Sequence, residues 1–329
     1  MSKGFFLKAA ATIGLAAAQL LPGLAHAADP WPSQPIKLIV GFAAGGGTDV
    51  IARAVAQSLS TRLGQPVIVE NKPGAGGSLG MIAGAAAAPD GYTLTLGSNG
   101  TMTLNTLLYP NLKYQVERDF TPIGGLASLP YLIAANPQVP ANDIKGLVAL
   151  AKTRQVTYAS AGNGTTNHLV GVLLESMSKT DMLHVPYRGA APAMNDVVAG
   201  QVNFLSGDLS TLAPMVQSGK LKALAVTGPN RQAIMPNVPT VAESGFPGFE
   251  AMGWFALYGP KGLPAAVVQR INTELPHVLK DPAVLRRLGD LGATPLALGP
   301  EPLAAMVRNE TQKWRKVITD NKVTADALQ

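Results

Sequence analysis

Apolar positions along the chain switch repeatedly between two spacings. Ile36–Val40, Val67–Val69 and Tyr92–Leu96 are short apolar blocks of the kind that form buried strands. Between the first two, Val50, Ile51, Val55, Leu59 and Leu63 recur at helical spacing. Arg62 falls in the last turn of that helix and Gly64 where it should stop. Ser78–Ala88 predicts a second helix, and Phe120–Leu126 and Tyr131–Ala134 read as extended segments broken by Pro130. A helix over about Ile144–Lys152 follows, and then the rhythm restarts. Strands are expected at Val156–Ala159, His184–Tyr187, Val202–Leu205 and Ala223–Val226, with helices Thr166–Met177, Ala190–Ala199 and Leu212–Ser218 between them. Beyond a loop-rich stretch lie one more extended segment, Trp254–Tyr258, and helical patterns that include Pro264–Leu279 and Pro302–Ile318. Pro276 is expected to kink or end the first of these helices.

Strands alternating with helices predict an α/β fold with parallel pairing. The restart predicts two lobes, each a mainly parallel sheet flanked by helices. Residues 28–129 and 250–329 would form the first lobe, and 130–249 an inserted second one. Crossings near Ser128–Tyr131 and within Pro239–Phe249 would then make a hinge.

The ends of the chain set the compartment. Residues 1–27 carry Lys3 and Lys8, an apolar run and then Ala25-His26-Ala27, the grammar of a cleavable signal peptide. Gly14, Gln19, Pro22 and Gly23 interrupt the run, which falls short of the roughly 20 residues of a membrane span. The expected location is the periplasm. Without Lys3 and Lys8 the formal charge drops from +6 to +4, and the basic residues are scattered rather than striped, which argues against nucleic acid as a partner. The chain has no cysteine, so disulfides, thiol nucleophiles, thiolate metal sites and a lipid-bearing cysteine are excluded. No two of the four histidines have metal-ligand spacing; neither a metal nor another cofactor is expected.

Candidate chemistry clusters where strands end. FAAGGGTD follows the first strand, GSNGT the third, SAGNGTTNH the one over Val156–Ala159, and SGDLST the one over Val202–Leu205. Ligands of open α/β sheets bind outside the carboxyl ends of strands, where glycine-rich turns and helix N-termini present backbone N–H groups to anions. Thr48-Asp49 after Gly47 lacks the lysine of a phosphate-binding P-loop, and Val50 stands where a dinucleotide fingerprint needs glycine or alanine. Gly76–Gly80, GGSLG, matches the serine-hydrolase elbow literally, but NKPGAGG separates it from its strand. His168 either faces a ligand or packs locally. Arg188, after a strand, either meets a second carboxylate or is a solvated loop residue. Asp208 either accepts hydrogen bonds from a ligand hydroxyl, amine or water, or caps a helix.

Five stretches in order carry a resemblance over essentially the whole mature chain. They are WPSQPIKLIVGFAAGGGTDVIAR, VIVENKPGAGGSLG, YASAGNGTTNHLVGVLLE, VPYRGAAPAMNDVVAGQVNFL and VPTVAESGFPGFE. Together they resemble the Bug-type substrate-binding proteins of tripartite tricarboxylate transporters. The resemblance implies a two-lobed, type II periplasmic binding fold that closes over a small organic carboxylate. It also implies delivery to one large and one small integral membrane subunit, by a protein that is not an enzyme; a monomer is expected. Carried onto matching positions, it assigns Phe42, Ala44, Gly45 and Gly46 to the ligand's carboxylate from one lobe. Ser160, Asn163, Gly164, Thr165 and His168 come from the other, with Asp208 reaching the remainder of the ligand. Two departures stand out: Gly41 where proline is common, and a small Ser206-Gly207 pair that suggests a roomier distal pocket. The alternatives are a periplasmic sensing subunit for the same ligand, and a hydrolase acting through Ser78.

Overall fold

The computed structural model describes residues 31–325, so the signal peptide expected at residues 1–27 lies outside them. The first described half runs β1 Ile36–Val40, α1 Gly47–Leu63, β2 Val67–Asn71, α2 Ser78–Ala85, β3 Thr93–Ser98, α3 Asn105–Leu108, α4 Val116–Asp119, β4 Phe120–Ala135 and α5 Ile144–Ala151. It continues with β5 Thr157–Ser160, α6 Thr166–Ser178, β6 Leu183–Pro186, α7 Ala190–Val198, β7 Phe204–Asp208, α8 Leu209–Gln217 and β8 Lys222–Val226. Then come β9 Met252–Pro260, α9 Ala265–Val278, α10 Pro282–Asp290, β10 Thr294–Pro295 and α11 Pro300–Asp320.

Each side of the molecule holds a parallel trio, β2-β1-β3 on one and β7-β5-β6 on the other. An antiparallel spine, β9 beside β4, joins them. The parallel trios fit the alternating pattern; the antiparallel spine has no counterpart in it. β4 differs from expectation outright, since it runs unbroken through Pro130. The reason is positional. Pro130 makes the last pairing with β9, opposite Met252, and Tyr131 begins the pairing with β7, opposite Asp208. A residue without an N–H is tolerated where a strand changes partners. Buried Thr227 stitches this point: its hydroxyl accepts from Tyr131 N at 2.8 Å and donates to Ala251 O at 2.6 Å. The helix containing Pro276 ends two residues later, so the proline falls in its last turn and the helix does not continue far beyond it.

Both faces of both sheets are covered. Ile51, Val55, Leu59 and Leu63 of α1 bury the stripe predicted for them against Ile36, Leu38 and Val40 of β1. Each such side chain contributes about 1.5–3 kcal/mol of hydrophobic stabilisation. The second side has two clusters, one around Tyr158, Leu169 and Phe204, the other around Val197, Leu205 and Leu212. Helix α11 belongs to both sides: Leu303 and Val307 pack with Trp254, whereas Trp314, Val317 and Ile318 pack with the Tyr158 cluster. Among the described residues, no helix is long and apolar enough to cross a membrane.

Candidate functional site

Four loops, each leaving the carboxyl end of a strand, build the site. The first spans Gly41–Gly46. A Cβ on Gly41 would lie 2.5 Å from Gly77 O, and one on Gly80 would lie 2.5 Å from Gly41 Cα. Bare backbone is therefore required on both sides where α2 supports the loop. Gly41 lies outside the left-handed region, so it contributes room rather than extra conformational freedom. Gly45 does turn left-handed, at φ 86°. Its N–H donates to Asp49 Oδ2 at 2.9 Å, which also accepts from Arg53 at 2.8 Å, while Asn71 Nδ2 donates to Oδ1 at 2.9 Å. The Arg53 hydrogen bond is the main cause holding the Asp49 carboxyl down at about 2. Asp49 thus fixes the loop from beneath, and the Gly45 amide is engaged inside the protein. Residues 43–47 are exposed, and Gly46 supplies no side-chain cap to the first turn of α1.

The loop after β5 is held the same way. Gly162 N donates to Ser160 Oγ at 3.1 Å, and Thr165 Oγ1 caps α6 by accepting from His168 N at 3.4 Å. Gly164 N donates to His168 Nδ1 at 3.0 Å. That bond places the proton of a neutral imidazole on Nε2. The His168 ring stacks on His184 with centroids 3.8 Å apart and planes at 8°, and Tyr158 lies beside the pair. Tyr158 donates to Glu175 at 3.1 Å, and burial raises both the phenol and the carboxyl above their ordinary values.

The β3 loop reaches across. Asn99 Nδ2 donates to Thr166 Oγ1, at the start of α6, at 3.0 Å. The Tyr131 hydroxyl interacts with both side chains and faces the Asp208 carboxylate at the end of β7. Asn167 locks α6 to β7 by exchanging hydrogen bonds with Ser206, at 2.8 and 2.9 Å. Asp208 is exposed to solvent yet set deep among protein atoms, and this desolvation raises its carboxyl above the usual aspartate range. Further contacts close a ring around the cleft. Leu291 packs over Gly47, a Cβ on Gly292 would lie 3.0 Å from Leu209 Cβ, and a Cβ on Gly77 would touch both Phe42 and Thr101.

The expected residues fall into three groups. Phe42, Ala44, Gly45 and Gly46 form one wall of the ring, and Ser160 and Asp208 border a cavity of about 50 Å³ on the other. The Ser160 hydroxyl itself, however, is hydrogen-bonded to His184 Nε2 at 2.7 Å on the opposite face. Asn163 and His168 instead line a separate cavity of about 700 Å³ with Glu175, Lys179 and His184. The two cavities lie on opposite faces of the second sheet, because Tyr158 borders one and its neighbour Ala159 the other. His168 therefore shapes the loop through Gly164 rather than presenting its ring to Asp208. Gly164 packs against Leu108, with its N–H used internally, and Thr165 acts as a cap. Arg188 is exposed, makes no ion pair among the described residues and borders neither cavity. The space opposite Gly207 is filled by Leu212, so the distal pocket is small rather than roomy.

Ser78 does not act as a nucleophile. It is 2% exposed and its Oγ accepts from Asn105 Nδ2 at 3.1 Å. The histidines of the described residues lie elsewhere, on α6, β6 and α9. Among the described residues there is also no cluster of three metal-ligating side chains. Asn99, Tyr131 and Thr166 were missed as site residues. GSNGT marked the first, but nothing in one-dimensional spacing reveals which loop side chains meet across two lobes.

A family model described as "Tripartite tricarboxylate transporter family receptor" matches residues 51–323. Protein BugT of Bordetella pertussis is 34% identical over 89% of this chain and 91% of its own length. A Rhodopseudomonas palustris protein solved with bound malate, MatC, is 35% identical and superposes with a TM-score of 0.73, covering 87% of this chain and 99% of that one. An R. palustris protein solved with adipate is 31% identical with a TM-score of 0.78, covering 89% and 99%. The two solved relatives hold organic acids and share the two-lobed architecture.

Proposed function

The chain belongs to the tripartite tricarboxylate transporter family of receptors, and from this premise we propose that it is an exported protein that captures a small organic carboxylate between its lobes. It then delivers the acid to a large and a small membrane subunit. The observation that carries the reading is the ring of strand-end loops from both halves, closed through Asn99–Thr166 on one side and Gly292–Leu209 on the other. The uncapped start of α1, exposed at Gly46 and Gly47, supplies N–H donors for the carboxylate, as helix N-termini do for anions. Malate and adipate in the related structures are acids of the same class. Lobe 1 would comprise residues 28–129 and 250–329, lobe 2 residues 130–249, with the hinge beside Thr227.

Magnitudes favour a closing clamp. Micromolar binding needs about 8 kcal/mol. A hydrogen bond to a charged group contributes about 1.5–3 kcal/mol, and one helix terminus about 0.3–1 kcal/mol. Several donors must therefore converge from both lobes with water excluded, and only the closed, loaded form presents both lobes to a membrane partner.

The test is thermal unfolding against a panel of mono-, di- and tricarboxylates. At least one acid should raise the midpoint with concentration, by the equivalent of about 2.7 kcal/mol at a hundredfold excess over Kd. A panel that leaves the midpoint unmoved overturns the proposal.

A further inference from the structure

The small cavity beside Asp208 bears on what a captured acid carries at its far end, an inference that rests on the carboxylate-binding reading above. Its walls come from β5, α6, β7, α7 and α8; Ala159, Ala193, Met194, Leu205 and Leu212 make the larger part apolar, and Asn167, Ser206 and Thr211 add polar atoms. Asp208 is the one charged side chain among them. It stands at the start of α8, yet its carboxylate makes no capping hydrogen bond. Among the described residues it forms no ion pair, and desolvation is the sole cause acting on its carboxyl. The Tyr131 hydroxyl, which faces the Asp208 carboxylate, is already engaged with Thr166 and Asn99.

Among the described residues no side chain caps or ion-pairs the Asp208 carboxylate, so it relies on solvent, and closure over a ligand without a donor would leave it unpaired. Three kinds of far end can be compared. A second carboxylate would meet Asp208 with like charge. The cation that could offset it, Arg188, is exposed and borders neither cavity. An alkyl end would fit the walls and leave the carboxylate unpaired. A hydroxyl or ammonium would both fit and donate, and charge-assisted bonds of this kind are the strong ones. The cavity of about 50 Å³ also limits length. At roughly 10–15 Å³ for each water-sized group, it admits about three to five non-hydrogen atoms.

We propose that this protein takes a short-chain monocarboxylate whose far end is a hydrogen-bond donor, a hydroxyl or an ammonium, held by Asp208 in the slot between α7 and α8. Asp208 then sets specificity, while the glycine-rich loops hold the shared carboxylate.

Calorimetric titration of the mature protein with four series of acids, about three to six carbons long, tests this. The series are ω-hydroxy, ω-amino, α,ω-dicarboxylic and unsubstituted monocarboxylic acids. A donor-ended acid should bind at least about tenfold more tightly than the dicarboxylic and unsubstituted acids of equal length, about the contribution of one well-made hydrogen bond. Asp208→Asn should erase that preference. Dicarboxylic acids binding as tightly as donor-ended ones, or a preference that survives Asp208→Asn, would overturn the assignment while leaving carboxylate capture intact. Silence from all four series would overturn the carboxylate reading itself. The comparison among wild-type affinities decides the matter even should the variant fail to fold.

Discussion

At the scale of single residues, the two aspartates of the cleft show opposite designs. Asp49 is 3% exposed and saturated with donors, and its lowered carboxyl value marks a charge that stabilises the folded loop. Asp208 is raised by desolvation with nothing opposing it, although an N-terminal helix position should favour its charge by about 0.3–1 kcal/mol. Desolvation disfavours the ionised side chain in the folded, empty protein, and only mildly, because solvent still reaches the group. The sign follows from linkage. A carboxyl raised in the folded state binds more protons there than in the unfolded chain, so stability falls as pH rises from the ordinary aspartate value through the folded one. The whole penalty is present at neutral pH. Asp208→Asn should consequently raise the unfolding midpoint of the ligand-free protein at pH 7. The gain should shrink on acidification and vanish below the ordinary aspartate value, about 3.9. Midpoints for the two proteins across pH check this, and a variant less stable at pH 7 would show that the charge caps α8 after all.

At the scale of elements, α2 positions the first glycine-rich loop by contact of backbone with backbone. Gly80 faces Gly41 so closely that a methyl group has nowhere to go without moving the loop. Gly80→Ala should cost about 1–3 kcal/mol, the usual range for overpacking, and should weaken ligand binding because residues 42–46 shift with it. Gly289→Ala is the control: it lies in helix α10 with nothing within 4 Å of the added atom, and should be neutral or stabilising. Urea unfolding and ligand titration of both variants separate these outcomes. The glycines of VENKPGAGGSLG were visible from the start, and so were nearly all strands and long helices, because apolar spacing reports which face an element buries. Less visible was β4, where Pro130 reads as a break until its position at a change of partner is known. Helix α10 was also missed, although Asp281, which accepts from Ala283 N at 2.8 Å, and Pro282 form a start signal. In the site, loop chemistry was legible from glycine, serine and asparagine at strand ends. Direction was not. His168 and Asp208 are equally polar in sequence, and only the alternation along β5 and the stack with His184 send them to different faces.

At the scale of the whole molecule, a clamp needs two bodies that move, yet three elements tie these two together. β4 pairs with β9 over its first part and with β7 and β8 over its last. β9 begins beside the Thr227 stitch, and α11 sets one end in each core. A 21-residue helix spans about 30 Å, far enough to seat Leu303 against one side and Trp314 against the other. Bending at the cleft is compatible with this arrangement, because the spine can twist while both cores stay intact. Independent unfolding is not, since losing either core strips half of α11 and half of β4 of their packing. The lobes should thus lose structure together, as one cooperative unit. Trp254 and Trp314 report on the two cores separately, each being 2% exposed or less. Proteins retaining only one of these tryptophans, with the other two replaced by phenylalanine, should each show by fluorescence the same urea midpoint as the circular dichroism of that same protein. Fluorescence and dichroism midpoints that part within either protein would mean that one lobe survives the other, and that α11 is a strap laid across two independent bodies rather than a shared part of both.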